Sequence, residues 1–504
     1  MRFPEGPTPP SANLFKVSAP VFVMEDHCDA YPAWKGLAFQ EAVCVHLDAH
    51  LDLSDEGFPR ETVEGILACK TADDLHRFRS NPRLPWGGFH AGNYLYPAVL
   101  DDTVRTLYWV VPPWLPQGRD LLAWTRDELQ KWYDVTLDDY ASLRTVDGRV
   151  EGRLLGRPFT LCTVDRLPTL GGPVLLDIDV DYFLDADDTI FEAPDRILEI
   201  LQRKALVPES ITVSYSVNGG YLPLEHRYVG DLVVALTRGE ATEDSLRAAR
   251  RIIAADRLRA RGASSEALAE YFAAMGAGYF LPSLHFKISR ALLDEGRFDE
   301  ATRHAGEAAA LDAHYRPRAL DVAFVHFRRK NHAATLEWLR RACDEDSLDA
   351  PLARYIEGLS HMRAGDYPSA IALWQGLVDE PTFRASEQAY LRVVLGRALY
   401  REGRSGEALT HLRKAAQMEP HNALYQQHLG DALGHEGLLD EAARHLRKAI
   451  SLDDRRLSVL DAHRMLAEVY DAGGKRLMAD AERRRLITKD VLGTASLESM
   501  VKRK

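Results

Sequence analysis

Cysteine is scarce in this chain, and none of it is paired by spacing. Cys28, Cys44, Cys69, Cys162 and Cys343 are scattered with no Cys-x-x-Cys, which excludes a disulfide framework and a thiolate zinc site and leaves the thiols reduced. Long apolar runs are missing as well: no stretch reaches the roughly 20 residues of a membrane span. The start, Met1 to Lys16, carries Pro4, Pro7, Pro9 and Pro10 and no apolar leader, so a cytoplasmic protein with no membrane partner is expected. Nor is there an excess of positive charge. The formal net charge is −12, and the basic tail Lys502-Arg503-Lys504 is too short to reverse it, which argues against nucleic acid as a partner and favours a basic peptide. What remains is 504 residues, 46% hydrophobic and 27% charged, enough for more than one folded domain.

The chain divides near residue 240. Before it, Val21-Phe22-Val23-Met24, Ala42-Val43-Cys44-Val45, Leu107-Tyr108-Trp109-Val110-Val111 and Val174-Leu175-Leu176 are short apolar runs separated by longer mixed segments. This pattern predicts buried parallel strands in an α/β domain, residues 1–240. After it strands almost vanish, and the polar segment Thr237 to Asp244 opens a helical domain, residues 241–504.

Two acidic clusters dominate the first part. Asp48-Ala49-His50-Leu51-Asp52 and Asp177-Ile178-Asp179-Val180-Asp181 each follow an apolar run. In an extended strand alternate residues share a face, so Asp48, His50 and Asp52 are expected to point together, as are Asp177, Asp179 and Asp181. Carboxylates gathered in this way repel one another, and divalent cations are the readiest means of holding them deprotonated and close. Carboxylates mixed with imidazole suit Mn²⁺, and two such ions roughly 3.5–4 Å apart turn water into hydroxide at neutral pH.

The second part repeats. Leu395-Gly396, Gly403 and Glu407-Ala408 recur 34 residues later as Leu429-Gly430, Gly437 and Glu441-Ala442. Looser copies keep an offset of twelve between small residues: Gly358 to Ala370, Ser289 to Ala301 and Ala323 to Thr335, with a further copy placed at Ala467 to Ala481. The pattern resembles the tetratricopeptide repeat, and about five or six helical hairpins would fill Ser283 to Arg485.

The acidic motifs carry a second resemblance. Asp48-Ala49-His50-Leu51-Asp52 resembles the Asp-Ala-His-x-Asp motif of the arginase and agmatinase (ureohydrolase) superfamily, and Asp179-Val180-Asp181 its second Asp-x-Asp motif. His27, after Glu25-Asp26, stands where that superfamily has its first histidine, with Met24 and Glu25 in place of two glycines. Glu-Asp-His, His-x-Asp-Ala-His and Asp-Ile-Asp-x-Asp together are closer to an atypical family of peptide arginases, which convert arginine side chains of peptides to ornithine. The resemblance spans roughly residues 18 to 235 and implies a three-layer parallel-sheet domain. It implies two Mn²⁺ per chain bridged by Asp48 and Asp179, with His27 and Asp52 completing one site and His50 and Asp181 the other. Asp177 maps to a non-ligand and is expected to support the ligands by hydrogen bonding.

The implied reaction hydrolyses a guanidinium to urea and an ornithine side chain. Glu225, on a late segment after the Ser214 to Tyr221 turn, matches the glutamate that takes the guanidinium, and a carboxylate suits that fork-shaped donor. Asp52 is the candidate for passing a proton to the leaving amine, and His226 is placed for proton transfer by residue type alone. Gly92-Asn93 survives from the segment that grips free arginine, making Asn93 a candidate substrate contact. Leu95 stands where a proton-shuttle histidine belongs, and His90 is its candidate replacement. The altered segment favours a peptidyl arginine, with Trp86, Phe89, Tyr94 and Tyr96 framing an open mouth and the repeat groove holding an arginine-containing peptide or protein. Two rivals stand beside this: a Zn²⁺-dependent deacetylase or amidohydrolase, and a non-catalytic repeat scaffold.

Overall fold

The computed structural model describes residues 19–54, 60–79, 88–133, 135–217, 221–316, 318–328, 330–345, 350–452 and 456–488. Trp86, the Asn218-Gly219-Gly220 turn, the proline-rich start and the Lys502-Arg503-Lys504 tail lie outside them.

Eight strands form one sheet: β1 (Val21–Met24), β2 (Ala42–Leu47), β3 (Val104–Val110), β4 (Arg144–Val146), β5 (Arg149–Leu154), β6 (Arg157–Cys162), β7 (Pro173–Asp179) and β8 (Val207–Ser214), in the order β1-β8-β7-β2-β3-β6-β5-β4. The four strands read from apolar runs are parallel, and β8 and β6 extend the parallel set. The sheet is nevertheless mixed, not wholly parallel, because β4 and β5 add an antiparallel edge. Their turns explain it. Asp147 and Gly148 (φ 49° and 76°), then Leu155 and Gly156 (52° and 74°), put two successive residues in the left-handed region, as tight hairpins require. Alternation along the central strands buries both faces: Val45 and Leu47 join one core, Cys44 the other.

From Glu243 onward the described chain is helical, and consecutive helices pair into hairpins. Between Leu281 and Thr488 there are six such pairs, beginning with Leu281–Asp294 on Phe298–Leu311 and ending with Ser458–Ala472 on Arg476–Thr488. The small residues recur where the two helices of a hairpin cross. A Cβ on Gly430 would meet Leu446 Cγ at 2.7 Å, and one on Gly396 would meet Leu412 Cγ at 2.8 Å. The twelve-residue offset runs through all six pairs, ending on Ala301, Thr335, Ala370, Ala408, Ala442 and Ala479, each fully buried or nearly so. In the last copy the buried partner of Ala467 is therefore Ala479, and Ala481 is only half-buried.

The core does not stop at residue 240. Leu246, Ile252, Leu268, Tyr271, Leu284 and Ile288 share one cluster with Leu176, Ile211 and Val213 of the sheet. At the far end Leu457, Val459 and Leu460 share the other cluster with Trp109 and Leu161. The helical part thus rests on the sheet domain at both of its ends.

Candidate metal centre

Strand order places the site. From β2 the chain moves to β3 on one side, and from β7 it moves to β8 on the other, so the carboxyl ends of β2 and β7 form the topological switch point of the sheet. Both acidic clusters lie there. Asp48 follows the last residue of β2, and its Oδ1 accepts from His50 N at 2.7 Å, turning the chain back on itself. Asp52 sits at φ 53°, a left-handed conformation that aspartate tolerates better than most residues. Asp48, His50 and Asp52 therefore converge through a turn, not through the alternation of a strand. Asp177 and Asp179 do alternate within β7, while Asp181 lies in the following 3-10 turn, its N–H bonded to Asp179 Oδ1 at 3.2 Å.

His27 completes the group from the end of β1. Its Nδ1 stands 3.3 Å from Asp48 Oδ2, 3.2 Å from Asp52 Oδ2 and 3.1 Å from Asp179 Oδ2. On the far side, His50 Nδ1 lies 3.0 Å from Asp181 Oδ2 and 3.4 Å from Asp48 Oδ1. Two donor sets result, His27/Asp48/Asp179 and Asp48/His50/Asp181, each with its ligand atoms within 4.8 Å of one another. Asp48 belongs to both, and Asp52 joins Asp48 and His46 in a third such group.

Asp177 is buried beneath them and works on the ligands. One oxygen lies 3.1 Å from His27 Nε2 and accepts from Thr212 Oγ1; the other lies 2.9 Å from His46 Nδ1 and accepts from Tyr94 Oη. Engaging Nε2 turns Nδ1 of His27 toward the cluster, as carboxylates do behind metal-bound histidines. His46 has its other nitrogen 3.1 Å from His50 O, so it is a strut between β2 and β7. Ser216 Oγ donates to Asp179 Oδ2 at 2.6 Å, and Trp109 Nε1 to Asp48 O at 3.1 Å. Of these, His46 stands in the His-x-Asp-Ala-His motif, Tyr94 among the aromatic residues expected at a mouth and Ser216 in the turn after β8, whereas no motif marks Thr212.

Electrostatics divide the carboxylates. Burial pulls Asp177 and Asp48 upward, but the charge of His27 on the first and of His46 on the second, with the surrounding hydrogen bonds, holds both below the usual range. Burial and the neighbouring Asp48 push Asp52 up to about 6. Burial, Asp179 and then Asp48 push Asp181 to about 7, and burial and Asp48 also raise Asp179. These are carboxylates short of positive charge. His27 Nδ1, Asp48 Oδ2 and Asp181 Oδ1 are buried without a hydrogen-bond partner, and the oxygen-and-imidazole donor set is one that suits Mn²⁺. The residues present fit a pair of divalent cations, with His50, 43% exposed and edge-on to Tyr221 at 4.9 Å, at the open side.

Other expected site residues lie elsewhere or are already engaged. Glu225 accepts from Arg259 Nη1 at 3.2 Å; burial would raise its pKa, but Lys287, His226 and Arg259 bring it to about 2. It is an ion-pair partner of the first helices beyond residue 240, so it is corrected from guanidinium acceptor to junction residue. Asn93 uses its amide within its own loop, accepting from His90 N at 2.9 Å and donating to Gly88 O at 3.0 Å. His90 Nδ1 accepts from Gly92 N at 3.1 Å and so caps that loop, a poor arrangement for a proton shuttle. Phe89 and Tyr94 are buried, and Tyr96 accepts from Arg456, so these three form no open mouth.

In the helical part, the family model for the tetratricopeptide repeat matches residues 355–423 and 393–456. The C-terminal region carries tetratricopeptide repeats. Solved structures similar to this chain include MamA from Desulfovibrio magneticus RS-1 (16% identity, 35% of this chain and 95% of that one, TM-score 0.32). Also similar is YrrB, described as a TPR protein with an unusual peptide-binding site (18%, 39% and 97%, 0.32). A third is the C-terminal part of a TPR repeat-containing protein from Cytophaga hutchinsonii (15%, 48% and 97%, 0.34). No curated protein matches the chain. Among the described residues no helix is long and apolar enough to cross a membrane.

Proposed function

We propose that the chain is a two-metal hydrolase of the ureohydrolase type, acting on the guanidinium of a peptide-borne arginine that the tetratricopeptide repeats help to hold. The observation that carries the reading is Asp48: fully buried, shared by both donor sets, with one oxygen left without a hydrogen bond among imidazoles and carboxylates. The resemblance of the Asp48–Asp52 and Asp179–Asp181 segments to ureohydrolase motifs supplies the reaction class.

Mn²⁺ bound there would supply Lewis acidity and a nucleophile from water at neutral pH. The protein's own part is to hold and orient. Asp48 is shared by the two donor sets: with it, His27 and Asp179 would hold one cation and His50 and Asp181 the other, with Asp52 beside His27. Asp177 fixes the ring of His27, and Ser216 fixes Asp179. Asp52 is the carboxylate placed to pass a proton to the leaving amine at its Oδ2. Glu225, paired with Arg259, is not assigned to the guanidinium. A stack of helical hairpins presents an extended concave surface suited to a polypeptide, which raises the local concentration of the arginine to be modified.

Elemental mass spectrometry of the purified full chain, with urea release from arginine peptides, free arginine and agmatine in Mn²⁺, tests the reading. About two Mn²⁺ per chain and urea from peptides are expected. One tightly held Zn²⁺ and no urea would move the reading to amide hydrolysis, with acetylated peptides the next substrates. No bound metal and no turnover would leave a repeat scaffold.

A further inference from the structure

Arg456 and Leu457, in the repeat part, meet two segments that flank the candidate metal centre. Beyond the helix Leu439–Leu452, Arg456 forms an isolated antiparallel bridge with Thr136, and Leu457 N donates to Val135 O at 3.0 Å. These backbone contacts lay the repeat loop along a segment whose Tyr133 Oη accepts from Leu51 N at 3.0 Å, between His50 and Asp52. The Arg456 side chain reaches a second segment, Nη2 donating to Tyr96 Oη at 3.1 Å. That segment also holds the cluster: Leu95 N donates to Asp52 O at 3.1 Å, and Tyr94 Oη meets Asp177 and lies 3.0 Å from His27 Nε2. Two loops grip the Asp48–Asp52 turn from different directions, and Arg456 ties one to the other.

We propose that Arg456 is a positioning residue of the candidate metal centre: its guanidinium holds the Tyr94–Tyr96 segment while its backbone and that of Leu457 hold Val135 and Thr136, and together they fix the backbone that presents Asp52. The inference rests on the reading of the cluster as a metal site. It makes the last repeats a wall of that site as well as a surface for a partner, so that whatever shifts the Arg456 loop also shifts the ligands. The physical reason is the hard-won geometry of such sites, where ligand orientation depends on partners one and two contacts away.

The test is titration of the metal-free full chain with Co²⁺ alone, followed by its visible absorption bands, for the wild type, Arg456→Ala, Arg456→Lys, Tyr96→Phe and the Arg456→Ala/Tyr96→Phe pair. Thermal melting checks that each is folded. The wild type is expected to saturate near two Co²⁺. Arg456→Ala and Tyr96→Phe each weaken binding about tenfold, the low end for residues behind metal ligands, and shift the bands. The pair does no more than either alone, and Arg456→Lys, which keeps a donor, recovers most of the affinity. If Arg456→Ala does not fold, Tyr96→Phe, which removes only the accepting hydroxyl, decides. Variants that titrate like the wild type overturn the proposal alone, as does a weakened Arg456→Ala that Arg456→Lys fails to restore. A wild type that takes up no Co²⁺ overturns the metal reading and the proposal with it.

Discussion

Asp177 shows how much of the candidate site's geometry depends on one buried carboxylate. Its carboxylate is buried and meets four side chains, His27, His46, Tyr94 and Thr212, drawn from four separate segments. Asp177→Asn keeps the size but removes the charge and turns one acceptor into a donor facing Tyr94 and His46 or Thr212 and His27. Metal affinity should fall roughly 10- to 100-fold with the fold retained, measured by calorimetric titration of Mn²⁺. An unchanged affinity would show that His27 is oriented without it. The six proposed ligands were legible because two motifs and one histidine lie in short, dense segments at strand ends. Thr212 is not, since it meets the cluster only through the strand order that puts β8 beside β7, and Tyr94 meets it through the segment between β2 and β3. Glu225 was misread for the same reason in reverse: its cation, Arg259, stands 34 residues further along, on a helix assigned to the other part of the chain.

At the scale of elements, the repeat period predicted the hairpins because a fixed spacing of small residues is a packing requirement. Gly358 makes the point: a Cβ there would lie 2.2 Å from Trp374 Nε1, whose ring is fully buried and whose N–H bonds Tyr355 O at 3.2 Å. The indole is rigid and enclosed, so it cannot yield as the end of a flexible side chain can. Gly358→Ala should therefore destabilise the chain. An overpacking cost of roughly 1–3 kcal/mol outweighs the roughly 0.5–1 kcal/mol that alanine gains inside a helix, and a denaturant midpoint measures the difference. A stabilised variant would mean that the two helices separate without penalty. The antiparallel edge of the sheet shows the opposite outcome. Its strands are polar and carry no apolar run, so only Asp147-Gly148, a hairpin turn sequence, marks them in the chain.

For the whole molecule, the change from strands to helices near residue 240 marks a change of architecture without a break in the core. Cutting there would expose the sheet-side partners of Leu246, Ile252, Tyr271 and Leu284. Residues 1–240 alone are expected to be insoluble or to lose near-ultraviolet circular dichroism, whereas a cooperative melt of that fragment would show the helices to be dispensable. The same junction gives the protein a dependence on pH. His226 is buried there. Burial and the Lys287 ammonium depress its pKa from 6.5 to about 4, because Asp256 and Glu225, at 3.8 and 4.0 Å, are too distant to offset them. The folded chain thus keeps His226 neutral where the unfolded chain protonates it. Its contribution is complete above about pH 6.5 and is lost as the pH falls toward 4, by on the order of 3 kcal/mol if the whole shift is realised. This histidine alone lowers the melting temperature across that window, while Asp52 and Asp181, raised to about 6 and 7, act in the opposite sense, so His226→Gln, which cannot titrate, should remove part of the acid-side loss relative to the wild type. The remainder belongs in part to His428, which burial and Arg397 also depress to about 4. A slope unchanged in His226→Gln would mean that the junction opens before the histidine takes its proton, and that the helices and the sheet domain separate more readily than their shared core implies.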